Sequence, residues 1–201
     1  MSGRKRGGGK VRPRLPALRT YRHPALSRGF PMPETTPPLV LTLTLDAAAQ
    51  AYFDALRQQH FPPAINYLAA HLTLFHHLPG AELAAVQTHL HGVARGTKSL
   101  PLRVAGLRSL GRGVAFTLEN DELRALHRRL QARFAPHLNS QDQQPLQPHI
   151  TIQNKVDPAA ARQLLAALQA GFAPFEAVGT GLHLWAYRGG PWESLTTFPF
   201  E

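Results

Sequence analysis

The chain has 201 residues, of which 43% are hydrophobic and 17% are charged, and this composition is typical of a globular protein. It contains no cysteine, which excludes disulfides, thiol nucleophiles and thiolate metal sites. It has neither the long apolar run of a membrane span nor the apolar segment of a secretory signal, so we expect a cytoplasmic protein with no membrane partner.

The net charge of +10 is concentrated at the N-terminus, where residues 1–31 carry nine of the 22 Lys and Arg residues and no acidic residue. We predict a basic disordered N-terminal extension over residues 1–37 and a folded domain over residues 38–201. The extension is either a solvated segment or a salt-dependent phosphate-binding arm. We also hypothesise that translation begins at Met32, just ahead of the first predicted strand.

The folded part reads as alternating strands and helices. Residues 39–45 (LVLTLTL) alternate in the manner of a half-buried strand, and Asp46 is a predicted N-cap for a helix that continues to about residue 60. The elements that follow in chain order are a strand over 71–75, a helix over 81–95, strands over 100–107 and 113–119, a helix over 122–134, a strand over 149–153, a helix over 158–172 and a β-hairpin formed by 179–187 and 192–200.

The same order of elements occurs twice along the chain. A helix, a strand that contains a histidine, a second helix and two further strands occupy about residues 47–118, and the same series occupies about residues 120–200. The pattern predicts an α+β fold that is bilobal and duplicated, with two antiparallel sheets around a central cleft and the helices outside. The two lobes are predicted to be intertwined within one domain.

The two histidine strands carry matching tetrapeptides, HLTL at residues 71–74 and HITI at residues 149–152. Because side chains at i and i+2 share one face of a strand, His71 and Thr73 point one way, as do His149 and Thr151. The aliphatic residues between them are predicted to pack under the helices of their own lobe. The two polar faces then meet across one cleft.

Two imidazoles and two hydroxyls in one cleft suit phosphoryl chemistry. Near neutral pH, one imidazole can accept a proton from an attacking water or hydroxyl while the other donates a proton to the departing oxygen. The threonine hydroxyls can donate hydrogen bonds to the nonbridging phosphate oxygens. We therefore expect a reaction that needs no metal and no cofactor.

The paired motifs, His71-Leu72-Thr73-Leu74 and His149-Ile150-Thr151-Ile152, resemble the signature of the 2H phosphoesterase superfamily. Over residues 38–201 the chain looks most like the bacterial 2′-5′ RNA ligase and cyclic phosphodiesterase branch. The resemblance implies catalytic roles for His71 and His149, phosphate binding by Thr73 and Thr151, and opening of 2′,3′-cyclic phosphate ends of RNA or nucleotides, commonly to the 2′-phosphate. The Ala-Arg pair that often follows the second motif in close ligase relatives is absent here.

Strand alternation extends the list of side chains expected to line the cleft. The first motif is followed on the same face by Phe75 and His77, and the second by Gln153 and Lys155. In the hairpin, three residues share the face away from the core: His183, Trp185 and Tyr187. Trp185 or Tyr187 would be able to stack a base. The alternative for each residue is ordinary packing or solvation.

Three functions remain open from the sequence. We favour hydrolysis of 2′,3′-cyclic phosphates; a 2′-5′ RNA ligase would use the same four residues in reverse, and a noncatalytic RNA- or nucleotide-binding module would keep the cleft for affinity. The local cluster of His76, His77, His89 and His91 has no carboxylate at ligand spacing apart from Glu82, and no metal site is predicted there. No P-loop or dinucleotide fingerprint occurs. We expect a monomer, because a bilobal chain completes its own site.

Overall fold

The computed structural model describes Met1 and residues 36–201. The predicted basic extension over residues 1–37 and the hypothesis about Met32 therefore fall almost entirely outside the described residues. No helix within the described part is long and apolar enough to cross a membrane.

The predicted helices and strands are confirmed, with small shifts at their ends. Among residues 36–201, three of the four α-helices begin at a side-chain cap: Asp46, as predicted, and also Asn120 and Asp157 accept hydrogen bonds from the amides of the first turn. The elements are β1 (Leu39–Leu45), α1 (Ala47–His60), β2 (Leu72–Leu78), α2 (Leu83–Arg95), β3 (Leu100–Ser109), β4 (Val114–Glu119), α3 (Asp121–Phe134), β5 (His149–Gln153), α4 (Pro158–Ala170), β6 (Phe175–Ala186) and β7 (Glu193–Pro199).

All seven strands belong to one antiparallel sheet in the order β2-β1-β6-β3-β4-β5, with β7 also paired to β6. The predicted α+β class is confirmed. The two sheets expected around the cleft are halves of this single sheet, because β3 pairs with β6 from Leu100↔Gly179 to Val104↔Phe175. One half contains β2, β1, β6 and β7, and the other contains β3, β4 and β5.

The helices are exchanged between the two repeats. Helix α1, from the first repeat, packs against β5 of the second, and α4, from the second repeat, packs against β3 and β4 of the first. In the same way α2 packs against β7, and His127 of α3 donates from Nε2 to the carbonyl of Leu74 in β2, 3.1 Å away. The prediction that each histidine strand packs under the helices of its own lobe is therefore wrong for α1 and α3.

The exchange places the two histidine strands against each other. β2 and β5 are the two end strands of the sheet order, and they contact one another because the sheet curls around the cleft. Aliphatic and aromatic side chains from all seven strands and from α1, α2 and α3 form one continuous buried core behind them. The polar faces of β2 and β5 are thus held on a rigid support.

Candidate active site

The two motifs divide their side chains between core and cleft as predicted. Leu72, Leu74, Ile150 and Ile152 are almost fully buried, and none is more than 3% exposed. The histidine and threonine of each motif are only partly buried. The strand register agrees with this division, because each motif has a polar residue opposite a polar residue of the neighbouring strand: Thr73 pairs with Thr42 of β1, and His149 pairs with Thr117 of β4.

Both motif histidines are held by the same local hydrogen bond. The Nδ1–H of His71 donates to the carbonyl of Ala69 at 2.8 Å, and the Nδ1–H of His149 donates to the carbonyl of Gln147 at 2.8 Å. A carbonyl can only accept, so each neutral ring carries its proton on Nδ1 and keeps the lone pair on Nε2. The two rings therefore present the same reactive nitrogen, each fixed by the backbone two residues earlier.

The electrostatic surroundings favour the neutral form of both rings. Burial lowers the pKa of His71 to about 4; the charges of Arg57, His76 and His149 act in the same direction, against the hydrogen bond to Ala69. Burial also lowers the pKa of His149, with help from Arg108 and His76 and against its hydrogen bond to Gln147. Because the charge of His149 lowers the pKa of His71, protonation of His149 favours the neutral form of His71.

Arg57 of α1 connects the two motifs, and the sequence did not single it out. Its Nη1 donates to the carbonyl of Thr151 at 2.8 Å, and its Nε donates to the carbonyl of Leu68 and to Oδ1 of Asn66, both at 2.9 Å. The side chain is only 6% exposed. One guanidinium thus fixes the second motif to the segment that leads into the first.

An irregularity in β2 changes which residues reach the cleft. The pairing of β2 with β1 slips between Leu41↔Phe75 and Thr42↔Thr73, which adds one residue to β2. As a result Phe75 is fully buried and stacks on His127, with ring centroids 4.6 Å apart. The expectation that Phe75 lines the cleft is wrong. His76, instead of the predicted His77, lies with Thr73 and His149 around one cavity.

A buried carboxylate holds this part of β2. Asp142, in the loop before β5, accepts from the backbone amides of His76 (2.9 Å) and His77 (2.8 Å), and from Nδ1 of His76 (3.2 Å). Burial alone would raise the pKa of Asp142, but the hydrogen bonds from His76 and His77 outweigh it and keep the pKa below its usual value. Asp142 remains ionised and fixes the His76 ring at the cleft.

The second motif ends sooner than alternation suggested. β5 stops at Gln153, which is 7% exposed and whose Oε1 has no hydrogen-bond partner within the described residues. Lys155 follows in a left-handed turn with φ of 59° and is exposed. The strand face that was expected to carry both residues into the cleft therefore does not extend to Lys155.

Two cavities flank the histidine pair. The first, which we call the tryptophan pocket, has a volume of about 310 Å³ and is lined by His71, His183, Trp185 and Trp192, among others. His183 and Trp185, which the sequence predicted to line the cleft, both line this pocket, whereas Tyr187 lies beyond the end of β6 and is 41% exposed. Trp192 was part of the predicted hairpin but was not singled out.

The second cavity, which we call the glutamine pocket, has a volume of about 270 Å³. It is lined by Thr73, His76 and His149 together with Gln141, Gln144 and Gln147. Arg108 of β3 reaches this side, since its Nη1 donates to Oε1 of Gln147 at 2.8 Å and its Nε is buried without a partner among residues 36–201. This cavity supplies cationic and amide groups beside His149.

No group of three or more His, Asp or Glu side chains in the described part of the chain is arranged to hold a metal ion. The His76–Asp142 pair has a single carboxylate, and this carboxylate already accepts hydrogen bonds from two backbone amides.

The fold and the duplicated His-x-Thr site define a class of protein, and comparison with known families places the chain in it. The model of the 2′-5′ RNA ligase superfamily matches residues 45–191, well over half of the chain. The chain therefore belongs to this superfamily, and its resemblance to the 2H phosphoesterases is confirmed. No curated protein sequence matches it.

Solved structures support the fold. TT0787 of Thermus thermophilus superposes with a TM-score of 0.58 at 19% identity, over 81% of this chain and 97% of that one. E. coli LigT in its apo form gives a TM-score of 0.56 at 22% identity, over 82% and 97% of the two chains. E. coli LigT complexed with 3′-AMP gives 0.52 at 21% identity, over 82% and 98%.

Proposed function

We propose that this protein hydrolyses 2′,3′-cyclic phosphate ends of RNA or nucleotides with His71 and His149 as a general acid/base pair. The observation that carries the proposal is the matched state of the two rings, each with Nδ1–H bound to a carbonyl and Nε2 available, on strands that meet across the cleft. E. coli LigT has been solved with 3′-AMP and with phosphate, and the superfamily match extends this class of ligand to the present chain as part of the proposal.

In the proposed reaction a water oxygen forms a bond to phosphorus as the bond between phosphorus and one ribose oxygen breaks. One imidazole accepts the proton of the water at Nε2, and the other, protonated, donates its proton to the departing ribose oxygen. The two histidines exchange protonation states, and proton exchange with solvent restores them. Thr73 and Thr151 donate hydrogen bonds to the nonbridging oxygens, where negative charge accumulates.

The test is turnover of adenosine 2′,3′-cyclic phosphate, and of a short RNA with a 2′,3′-cyclic end, in the presence of EDTA. We expect a linear monophosphate to form at a rate that EDTA does not change. An RNA with a 5′-hydroxyl end, added to the same reaction, reports ligation through a longer product. Absence of linear monophosphate from every cyclic substrate would contradict the proposal, and a longer product alone would assign the ligase reaction instead.

The dependence of kcat/KM on pH follows from the two pKa shifts. One ring must be neutral and the other protonated, so kcat/KM falls as the acid loses its proton above the higher pKa and as the base gains one below the lower pKa. Burial holds the pKa of His71 at about 4 and that of His149 below its usual 6.5. We therefore expect a bell-shaped profile with its maximum between about 4 and 6.5.

The pH dependence of kcat provides the control for this prediction, because it reports the pKa values of the two histidines in the enzyme–substrate complex. The phosphate anion favours the charged imidazoles, so the alkaline limb of kcat is expected at higher pH than that of kcat/KM. An alkaline limb of kcat/KM above 6.5 would contradict the lowered pKa of both histidines.

A further inference from the structure

The tryptophan pocket contains both tryptophans of the chain, and the proposed chemistry does not use them. The Trp192 ring lies 4.8 Å from the His71 ring and 6.1 Å from the Trp185 ring, tilted by more than 50° to each. Trp185 is fixed in place, because its Nε1 donates to Oγ1 of Thr42 at 3.0 Å and His183 stacks on it at 3.7 Å. The two indoles form an aromatic corner directly beside one of the motif histidines.

Two side chains of α1, Asp54 and Gln50, add hydrogen-bond acceptors to the lining of the pocket. Oδ1 of Asp54 accepts from the amide of Ala70 at 2.7 Å and from Nε2 of Gln50 at 3.0 Å. Oδ2 of Asp54 and Oε1 of Gln50 have no protein partner within residues 36–201, and both side chains line the pocket. A flat ligand against the indoles would therefore meet free acceptors at its edge.

The charged groups at the two pockets indicate which part of a nucleotide each pocket would bind. Among the described residues, the tryptophan pocket is lined by the Asp54 carboxylate and by no Lys or Arg, whereas Arg108 donates a hydrogen bond to Gln147 in the lining of the glutamine pocket, so the phosphate is expected on the side of the glutamine pocket. An aromatic corner with free acceptors suits a nucleobase, which stacks through its faces and donates from exocyclic amino groups at its edge. The volume of about 310 Å³ lies at the small end of the range for ligand pockets and fits a single nucleoside.

We propose that the tryptophan pocket binds the nucleobase of the nucleotide that carries the reacting phosphate, with Trp192 as the stacking surface and Asp54 and Gln50 as acceptors for an exocyclic amino group. Adenine, cytosine and guanine have such a group, which supplies two N–H donors for the two free acceptors, whereas uracil supplies only its ring N3–H, so the pocket favours the first three. This inference rests on the proposed function for the phosphate itself, because His71 at the rim joins the pocket to the reacting centre.

Because the chain has no tryptophan outside this pocket, its intrinsic fluorescence reports directly on occupancy. We expect adenosine 3′-monophosphate and cytidine 3′-monophosphate to quench the fluorescence with saturation, uridine 3′-monophosphate to bind more weakly, and inorganic phosphate alone to have no effect. Trp192→Ala is expected to weaken the binding of adenosine 3′-monophosphate by about 5- to 150-fold, while Trp192→Phe retains most of the affinity.

Two further variants separate recognition from folding. Asp54→Asn keeps an oxygen for the amide of Ala70 but replaces the free acceptor with a donor, so the preference for adenine over uracil is expected to fall or reverse. Tyr67→Ala removes an aromatic side chain that is 63% exposed and outside the tryptophan pocket, and it should leave binding unchanged.

The outcomes distinguish this inference from the proposed function. Hydrolysis of cyclic phosphates without saturable quenching by any nucleotide, or with equal affinity for adenine and uracil that Asp54→Asn does not alter, would overturn the nucleobase site and leave the function standing. Selective quenching that depends on Trp192 and Asp54, in a protein that hydrolyses no cyclic phosphate, would support the nucleobase site and overturn the function.

Discussion

Replacement of either motif histidine by alanine is expected to lower kcat for cyclic phosphate hydrolysis by about 10²- to 10⁴-fold, because each variant removes one of the two proton transfers. The effects of His71→Ala and His149→Ala should not multiply in the double variant, since the two rings act as one unit. The measurement is kcat on adenosine 2′,3′-cyclic phosphate, together with urea unfolding to show that each variant is folded.

A matched control is His91→Ala, which removes an exposed histidine from α2 outside both pockets and should leave kcat unchanged. The threonines extend the test: Thr73→Val and Thr151→Val remove only the hydroxyl, and each is expected to lower kcat by about 10²- to 10³-fold, whereas Thr→Ser retains it. An alanine variant of either motif histidine that keeps wild-type kcat would remove that residue from the mechanism.

Replacement of Arg57 by methionine is expected to lower the free energy of unfolding by about 3 kcal/mol, because it leaves buried carbonyls without a donor. The guanidinium hydrogen-bonds Thr151, Leu68 and Asn66, and it also lies 3.9 Å from the Phe61 ring centroid. Methionine keeps most of the apolar packing and removes the donors. Urea unfolding measures the change, and kcat is expected to fall with it because the second motif loses its connection to the first.

Two further variants calibrate the effect of Arg57. Arg57→Lys retains the charge but not the planar donors, so it should lie between wild type and methionine. Arg95→Met removes an exposed arginine from α2 that forms a 3.7 Å ion pair with the exposed Glu201, and its expected change is below about 0.5 kcal/mol. Equal stability of Arg57→Met and Arg95→Met would show that the buried hydrogen bonds contribute little.

Local sequence signals were sufficient to predict the order of the helices and strands along the chain. Asp46 caps α1 where its position predicted it, and alternation in HLTL and HITI identified the motif residues that are buried in the core. These features depend on neighbours within a few residues, which is why a single sequence contains them.

The rest of the site depends on partners distant in the chain. The extra residue in β2 that buries Phe75 and presents His76 arises from pairing with β1, more than 30 positions earlier, and no local pattern marks it. In the sequence, Arg57 looks like an ordinary exposed helix residue. Its hydrogen-bond acceptor, the carbonyl of Thr151 in β5, lies 94 residues later in the chain. Asp142 likewise lies in a loop, and the β2 amide of His77 that it binds is 65 residues away in the chain. Tertiary contacts decide all three.

The exchange of helices between repeats means that neither repeat contains a complete half of the site. The first histidine strand is covered by α3, the second by α1, and Arg57 joins them across the chain. The histidines become neighbours only after segments far apart in sequence have met, so folding is dominated by long-range contacts. A molecule with one repeat folded would hold a single imidazole and no cleft. Loss of structure in either repeat would therefore also separate the two motif histidines.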